Sequence, residues 1–206
     1  MREQDEENSA EHKSSRIRSK EFITKEYSYH LYGEIGAAED YIELCNLLRD
    51  ASPNDEVVIY INSGGGSVDT GNQIINAIKD SNALVRGYIE SNCGSMATMI
   101  FLACHAWSVT ENSEFFIHTS SGGFFGKEPE MYKHMEFMRK QTHKMVRKRY
   151  KGFLTDAEIE KVLEGTDFYF DSEEILERLE SYVAYRRSLA EEEEPKPIAK
   201  TKQKYS

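Results

Sequence analysis

Short apolar runs alternate with segments of helical periodicity along most of the chain. Residues 56–61 form a short apolar run rich in β-branched side chains, which favours a buried strand, and residues 83–89 predict the next strand. A weakly alternating run at 27–32 and short apolar runs at 107–109 and 115–117 predict three further strands.

Those intervening segments have the spacing of helices. Helices are predicted at 41–48, after the glycines at 64–66, at 95–103 and, as the longest, at 128–150, where the apolar positions include Met131, Met135, Met138 and Met145. Residues 155–158 read Thr-Asp-Ala-Glu, which resembles a capping box that opens another helix. Repeated β-α-β units imply an α/β fold with a largely parallel sheet and right-handed crossovers.

The two ends of the chain differ from the part between them. Residues 1–20 are polar and charged without any period, and they predict a flexible N-terminal arm. Residues 191–206 begin with consecutive glutamates and end rich in lysine, which predicts a disordered charged tail. We therefore expect one folded domain at residues 21–190, a suitable length for a proper core.

Net charge and cysteine content indicate which partners and which cellular compartment to expect. The chain has 26 basic and 36 acidic residues, a net charge of −10, so its surface repels nucleic acid. It has no apolar run of membrane-spanning length and no N-terminal signal core, so we expect a cytoplasmic protein with no membrane partner. Cys45, Cys93 and Cys104 are predicted to be buried free thiols, in agreement with a reducing compartment.

Two candidate features lie where a predicted strand meets a predicted helix. Gly64, Gly65 and Gly66 follow a strand, and their backbone N–H groups could bind an oxyanion, although a plain turn explains them as well. Their spacing fits neither a dinucleotide-binding nor a phosphate-binding loop. Ser95 lies at the next such junction, where a serine is either a nucleophile or, more commonly, a helix N-cap.

A histidine and two aspartates complete the candidate chemistry. His118 directly follows the apolar run at 115–117, so its ring is expected at the sheet rim as a base or as a satisfied half-buried side chain. Asp167 and Asp171 flank an aromatic run, and either could orient an imidazole. Helix capping suits Asp171 better, because glutamates and a helical stretch follow it.

Four motifs in order resemble the ClpP family, the proteolytic subunits of the Clp proteases. Residues 61–68, Ile-Asn-Ser-Gly-Gly-Gly-Ser-Val, resemble the family's I-N-S-P-G-G-S-V stretch, with Gly64 in place of the proline. Residues 94–97 resemble its serine motif, residues 116–118 its histidine segment, and residues 167–174 the stretch that starts with the aspartate of the triad. The resemblance covers roughly residues 27–180.

The resemblance implies a serine endopeptidase and assigns its residues. Ser95 would be the nucleophile, His118 the general base and Asp167 the orienting acid, while the N–H groups of Gly66 and Met96 would form the oxyanion hole. It also implies the crotonase-like β-α-β spiral, with the long helix after His118 as a protruding handle. No metal or other cofactor is expected.

The same resemblance implies an assembly. Family members form stacked rings, usually heptameric, that enclose the active sites and admit unfolded polypeptides delivered by an AAA+ unfoldase. ATP would be used by that partner, because this chain has no P-loop. The expected protein is thus a homo-oligomeric, ATP-dependent Clp-type endopeptidase.

Three alternatives remain open. A crotonase-like enzyme would keep the fold and use the oxyanion donors on an acyl-CoA thioester. A non-enzymatic ring subunit would pair with an active paralogue. A viral maturation protease would use the same chemistry on capsid proteins.

Overall fold

Helices and strands alternate through the computed structural model, which describes residues 23–123 and 125–193. In chain order the elements are β1 (Glu26–Ile35), a 3-10 turn (Ala38–Tyr41), α1 (Ile42–Asp50), β2 (Glu56–Gly66), α2 (Val68–Asp80), β3 (Leu84–Gly94), α3 (Met96–Ala103), β4 (Ala106–Val109), β5 (Glu114–Ile117), α4 (Glu128–Tyr150), α5 (Asp156–Leu163), β6 (Phe168–Phe170) and α6 (Ser172–Glu193). The predicted arm at 1–20 and residues 194–206 of the predicted tail lie outside the described residues. Helix α6 continues past residue 190 to Glu193.

The strands form one six-stranded sheet in the order β1-β2-β3-β5-β6, with β4 also paired to β3. Every pairing is parallel except that of β5 with β6. The expectation of a largely parallel sheet is therefore confirmed. Strand β3 has two partners on its outer edge, β4 along residues 86–89 and β5 along residues 92–94.

Strands β2 and β3 extend further than the apolar runs predict. The glycine segment expected as a turn is the end of β2, where Gly66 pairs with Ile35 of β1 and Ser63 pairs with Cys93 of β3. Register shifts occur on both sides of this segment, so the pairing is irregular. Neighbouring strands hold the glycines in place, and this tertiary support is invisible in the local sequence. The carboxyl ends of β2, β3 and β5 consequently meet at one edge of the sheet.

Helix α3 forms the centre of the core. All eight of its residues are buried, as expected for a helix that is apolar on every side. It packs against α2, α4 and the sheet, and the ring of Phe101 meets that of Phe115 edge-on at 5.8 Å. Cys45, Cys93 and Cys104 are buried and free, which confirms that prediction.

Helix α4 has 23 residues and is attached to the core at its end. Its buried residues are Val146 and Tyr150, both near the carboxyl terminus. Its earlier turns expose large apolar side chains: Tyr132, Met135, Phe137 and Met138. Among the described residues, the first part of α4 therefore leaves these apolar side chains uncovered. In the part of the chain that the structure describes, no helix has both the length and the apolar composition needed to cross a bilayer.

The two predicted helix starts near the C-terminus are present. Thr155 and Glu158 form a complete capping box at the start of α5. Asp171 caps α6, because its Oδ1 accepts the N–H of Glu174 at 2.9 Å. The capping interpretation of Asp171 is thereby confirmed, and Asp167 remains the candidate for a catalytic role.

Candidate active site

Ser95 lies between the end of β3 and the start of α3 with an unusual backbone conformation. Its φ is +52° and its ψ is −122°, and it is the one non-glycine residue with positive φ in the described part of the chain. Its N–H donates to the carbonyl of Phe116 in β5 at 2.7 Å, and its own carbonyl accepts the N–H of Thr98 at 3.1 Å. Such strained strand-to-helix turns lift a side chain out of the sheet edge.

The hydroxyl of Ser95 is directed to His118 and not to its own helix. Its Oγ lies 2.8 Å from Nε2 of His118, and it makes no side-chain cap to α3. Both side chains are half-buried. Gly94 of β3 pairs with Phe116 of β5. Ser95 directly follows β3 and His118 directly follows β5, so the two residues lie together at the same edge of the sheet.

The imidazole of His118 is stacked at one end of an aromatic column. The ring of Phe116 lies parallel to it, with centroids 4.9 Å apart. On the other side, Phe116 stacks on Tyr169 of β6 at 4.6 Å. Phe116 and Tyr169 are directly opposite in the β5–β6 pairing. This column restricts the rotation of the His118 ring and leaves its edge toward Ser95.

Asp167 is the next residue in the same cross-strand register. Ile117 pairs with Phe168 in the antiparallel β5–β6 ladder, so continuing the ladder by one position sets Asp167 opposite His118. Directly opposite residues of such a ladder have Cβ atoms about 4.5–5.5 Å apart. Asp167 is exposed, and within the described residues it has no hydrogen bond to His118.

The glycine segment of β2 packs tightly on the nucleophile turn. A Cβ atom at Gly65, whose φ is +101°, would lie 2.7 Å from the Cβ of Ser95 and 2.9 Å from the N atom of Met96. Ser63 supports the segment from behind, since its hydroxyl accepts the N–H of Gly65 at 3.1 Å and donates to the carbonyl of Gly33 at 2.5 Å. Only a glycine at position 65 allows this approach.

Two backbone N–H groups are suited to bind an anion beside Ser95. Met96 is the first residue of α3, and the first N–H groups of a helix have no intrahelical acceptor. Gly66 pairs with Ile35, and the N–H of Ser67 donates to the Ile35 carbonyl at 2.8 Å. Because successive N–H groups of a strand point to opposite sides, the Gly66 N–H points away from β1 and toward β3.

A cavity of about 560 Å³ opens beside Ser95 and His118. Besides these two residues and the glycine segment, Glu34 contributes one carboxylate to its lining. The remaining wall contains the polar Ser120 and Ser121 and a group of apolar side chains: Val68, Met96, Met99, Met145, Val146 and Tyr150. The cavity thus combines apolar side chains with polar groups beyond Ser95 and His118.

The buried cysteines and His105 are poor candidates for a nucleophile or a base. Burial raises the pKa of Cys93 well above its ordinary range and that of Cys104 to about 12, so neither thiol ionises readily. Burial lowers the pKa of His105, whose Nδ1 accepts the N–H of Val85 at 3.0 Å. Within the described residues, no group of three or more His, Cys, Asp or Glu side chains is arranged to hold a metal ion.

Comparison with known families gives one decisive match. The family model described as Clp protease matches residues 11–178. The chain belongs to the Clp protease family. It is therefore a ClpP-type serine peptidase, a hydrolase that acts on peptide bonds.

The Clp protease match includes Ser95, His118 and Asp167, and it ends within α6. The structure brings Ser95, His118, Met96 and Gly66 to one edge of the sheet, and Asp167 to the adjoining position of the β5–β6 ladder. Sequence reasoning named Gly65 only as part of a motif, although Gly65 makes the closest approach to Ser95. It missed Thr98, whose hydroxyl donates to the Ser95 carbonyl, and Tyr150, whose hydroxyl bonds to that of Thr98. The helical spacing of Thr98 from Ser95 could have indicated that the two residues are in contact. Nothing in the sequence near Tyr150 indicated its contact with Thr98.

Proposed function

We propose that this Clp protease family member is a serine endopeptidase with Ser95 as nucleophile, His118 as general base and Asp167 as the acid that orients His118. The main support is the 2.8 Å contact between Ser95 Oγ and His118 Nε2 at a strained turn. A serine that only capped α3 would direct its hydroxyl to the helix. The cross-strand position of Asp167 supports its role, since a short side-chain rotation would bring its carboxylate to Nδ1 of the imidazole.

The mechanism follows from these positions. His118 accepts the Ser95 proton at Nε2 while Oγ attacks a peptide carbonyl. The N–H groups of Gly66 and Met96 stabilise the oxyanion of the tetrahedral intermediate, and losing one such donor typically costs ~10²–10³-fold in rate. The imidazolium then protonates the leaving amine, and water hydrolyses the acyl-enzyme by the same route.

The cavity suggests which substrate residue is held next to the cleaved bond. Its wall beside Ser95 is formed by apolar side chains from α2, α3 and α4. Burying an apolar substrate side chain there contributes about 25 cal/mol for each Å² removed from water. We expect cleavage after large unbranched or aromatic apolar residues.

We further propose that residues 21–190 form the peptidase domain, that the β-α-β units follow the crotonase-like spiral, and that α4 is the handle. A 23-residue helix is about 34 Å long. Its exposed Tyr132, Met135, Phe137 and Met138 support an interface with a second copy. Handles paired in this way would stack two rings, possibly of seven subunits each, around a chamber that admits unfolded polypeptides. An AAA+ unfoldase would supply them and use the ATP.

A reactive-serine probe tests the proposal. The purified, assembled protein should be labelled by a fluorophosphonate and should cleave a fluorogenic peptide with an apolar residue at the cleavage site. Ser95→Ala should abolish both. Absence of labelling and of cleavage in the assembled wild type would refute the proposal.

One observation favours a second candidate, the non-enzymatic ring subunit. His118 and Asp167 share no hydrogen bond within the described residues, so the triad is incomplete in the isolated chain. A non-enzymatic subunit would assemble normally and show no turnover. A mixed assembly with an active paralogue would then cleave substrate through the paralogue's active sites. Ser95→Ala in this chain would not affect that activity.

A further inference from the structure

Two buried side chains join the last residue of α4 to the backbone of Ser95. Thr98 and Tyr150 are both fully buried. The Thr98 hydroxyl donates to the carbonyl of Ser95 at 2.6 Å. The Tyr150 hydroxyl lies 2.7 Å from that of Thr98. A continuous chain of hydrogen bonds thus runs from α4 through α3 to the nucleophile turn.

The donors in this chain can be assigned. A hydroxyl has one hydrogen to donate, and that of Thr98 is used on the Ser95 carbonyl. Tyr150 must therefore donate to Thr98 and cannot accept from it. Burial raises the pKa of Tyr150, so the phenol stays protonated and remains a donor at neutral pH.

Fixing the Ser95 carbonyl also fixes the N–H of Met96. The two groups belong to one planar trans peptide unit, so they point in opposite directions and rotate together. The Ser95 carbonyl receives the Thr98 N–H at 3.1 Å as well as the Thr98 hydroxyl. The Thr98 hydroxyl therefore helps to hold the direction of the Met96 N–H, which is one of the two proposed oxyanion donors.

We propose that Thr98 and Tyr150 are positioning residues that hold the Met96 N–H toward the oxyanion. This inference rests on the proposed function. Neither residue touches the reacting atoms through its hydroxyl. Their contribution is to keep a positive-φ turn in the one orientation that serves the transition state, a form of electrostatic preorganisation. The effect is exerted on the transition state more than on the bound substrate, so it appears in kcat.

The test compares two buried tyrosines that both bond to α3. Tyr150→Phe removes the hydroxyl that supports Thr98. Tyr182→Phe removes one that donates to the Leu102 carbonyl at 2.8 Å, at the other end of the same helix. Tyr150→Phe loses one hydrogen bond. Tyr182→Phe loses its bond to Leu102 and also one of 3.3 Å that its hydroxyl accepts from Arg186, so its thermal stability should fall at least as much. Activity is measured on the assembled protein with the fluorogenic peptide.

We expect Tyr150→Phe to lower kcat by about 5- to 10-fold with KM unchanged, as one hydrogen bond is worth about 1 kcal/mol. Thr98→Val should lower kcat by about 10²-fold, approaching the loss of an oxyanion donor, and Thr98→Ser should restore most of it. Adding Tyr150→Phe to Thr98→Val should cause no further loss, because Tyr150 acts through Thr98. Tyr182→Phe should keep the wild-type kcat.

The outcomes separate this inference from the proposed function. A wild type that turns over while Tyr150→Phe and Thr98→Val both keep its kcat would overturn the inference alone. So would equal losses of kcat in Tyr150→Phe and Tyr182→Phe. A wild type without turnover or probe labelling would overturn the proposed function and this inference with it. If Tyr150→Phe fails to fold, the kcat values of Thr98→Val and Thr98→Ser test the inference.

Discussion

Ser95 occupies the N-cap position of α3, yet its hydroxyl is bonded to Nε2 of His118 at 2.8 Å and makes no cap. A serine at this position ordinarily accepts an N–H of the first helical turn. Here the positive φ of Ser95 turns the side chain out of the helix. The first N–H groups of α3 are left for an external anion, and the resulting electrostatic preference for negative charge favours an oxyanion.

Alanine substitutions at Gly65 and at the adjacent Gly64 should have different effects on activity. Gly65→Ala introduces a Cβ atom 2.7 Å from that of Ser95, at a φ of +101°. We expect it to lower kcat/KM by about 10²-fold or more, because the nucleophile turn must shift. At Gly64 the nearest atom to a new Cβ is Asn92 Nδ2 at 3.7 Å. Gly64→Ala should therefore keep most of the activity; equal losses in a peptidase assay would contradict this geometry.

Asp167 and Asp171 should have different roles. Asp167→Asn removes the charge proposed to orient His118 and should lower kcat by about 10²–10⁴-fold with little change in stability. Asp171→Asn weakens a cap that accepts the Glu174 N–H and should cost up to about 1 kcal/mol of unfolding free energy with kcat retained. Peptide hydrolysis and thermal unfolding of both variants measure this. If Asp171→Asn loses the activity and Asp167→Asn keeps it, the assignment is reversed.

The activity should depend on pH through His118. The neutral imidazole accepts the Ser95 proton and the imidazolium cannot, so kcat/KM should fall as pH is lowered and His118 becomes protonated. Tyr150 and Cys104 stay protonated because burial raises the pKa of each, so they should add no second transition at neutral pH. A profile measured from about pH 5 to 9 tests this. A kcat/KM that rises as pH is lowered would exclude His118 as the base.

The exposed face of α4 should control assembly. Met135→Glu combined with Met138→Glu sets charges on an apolar surface that we propose pairs with a second copy. We expect the mass of the assembly to fall by about half as stacked rings separate, with the far-ultraviolet spectrum unchanged. Lys144→Glu, an equally exposed change on the same helix, is the matched control. An unchanged mass in the double variant would show that α4 pairs through another surface or not at all.

The Glu158–Arg178 pair should make stability depend on pH in the acid range. Two hydrogen bonds, of 2.8 and 3.1 Å, join the Arg178 guanidinium to this carboxylate and hold the pKa of Glu158 down at about 2 from an ordinary 4.5. Because the folded pKa lies below the unfolded one, the stabilisation is present above about pH 4.5 and is lost as pH falls toward about 2.

Glu158→Gln should accordingly lower the unfolding temperature by a few degrees at neutral pH and by progressively less in acid. Glu177→Gln, an exposed substitution on α6, controls for the general loss of one charge. Thermal melts of the three proteins across the acid range provide the measurement. A difference from wild type that stays constant with pH would mean that the ion pair contributes nothing.

Local pattern was sufficient for most elements. The β-branched run at 56–61 and the apolar helix after Ser95 are properties of neighbouring residues, and both elements are present. The capping box at Thr155 and the cap at Asp171 were equally readable, since each depends on a contact three residues away. The order of the four motifs along the chain is likewise a property of the sequence, and it is enough to indicate the ClpP family.

Long-range contacts decided the rest. The glycines at 64–66 read as a turn, but they are held as strand by Ile35 and Cys93, which are distant in sequence. Asp167 acquired a place opposite His118 only when β5 and β6 paired.

The sequence by itself determined that Ser95 stands between a strand and an apolar helix, with His118 and Asp167 downstream as its candidate partners. The local pattern around Ser95 suits both a cap and a nucleophile, and the order of the four motifs along the chain favoured the nucleophile. The tertiary structure decided the direction of its hydroxyl, because the pairing of β3 with β5 brings Nε2 of His118 to 2.8 Å from Ser95 Oγ. The Thr98 hydroxyl binds the Ser95 carbonyl and is itself bonded to Tyr150. Side-chain direction at a strained turn depends on contacts made across the fold, and those are not encoded in neighbouring residues.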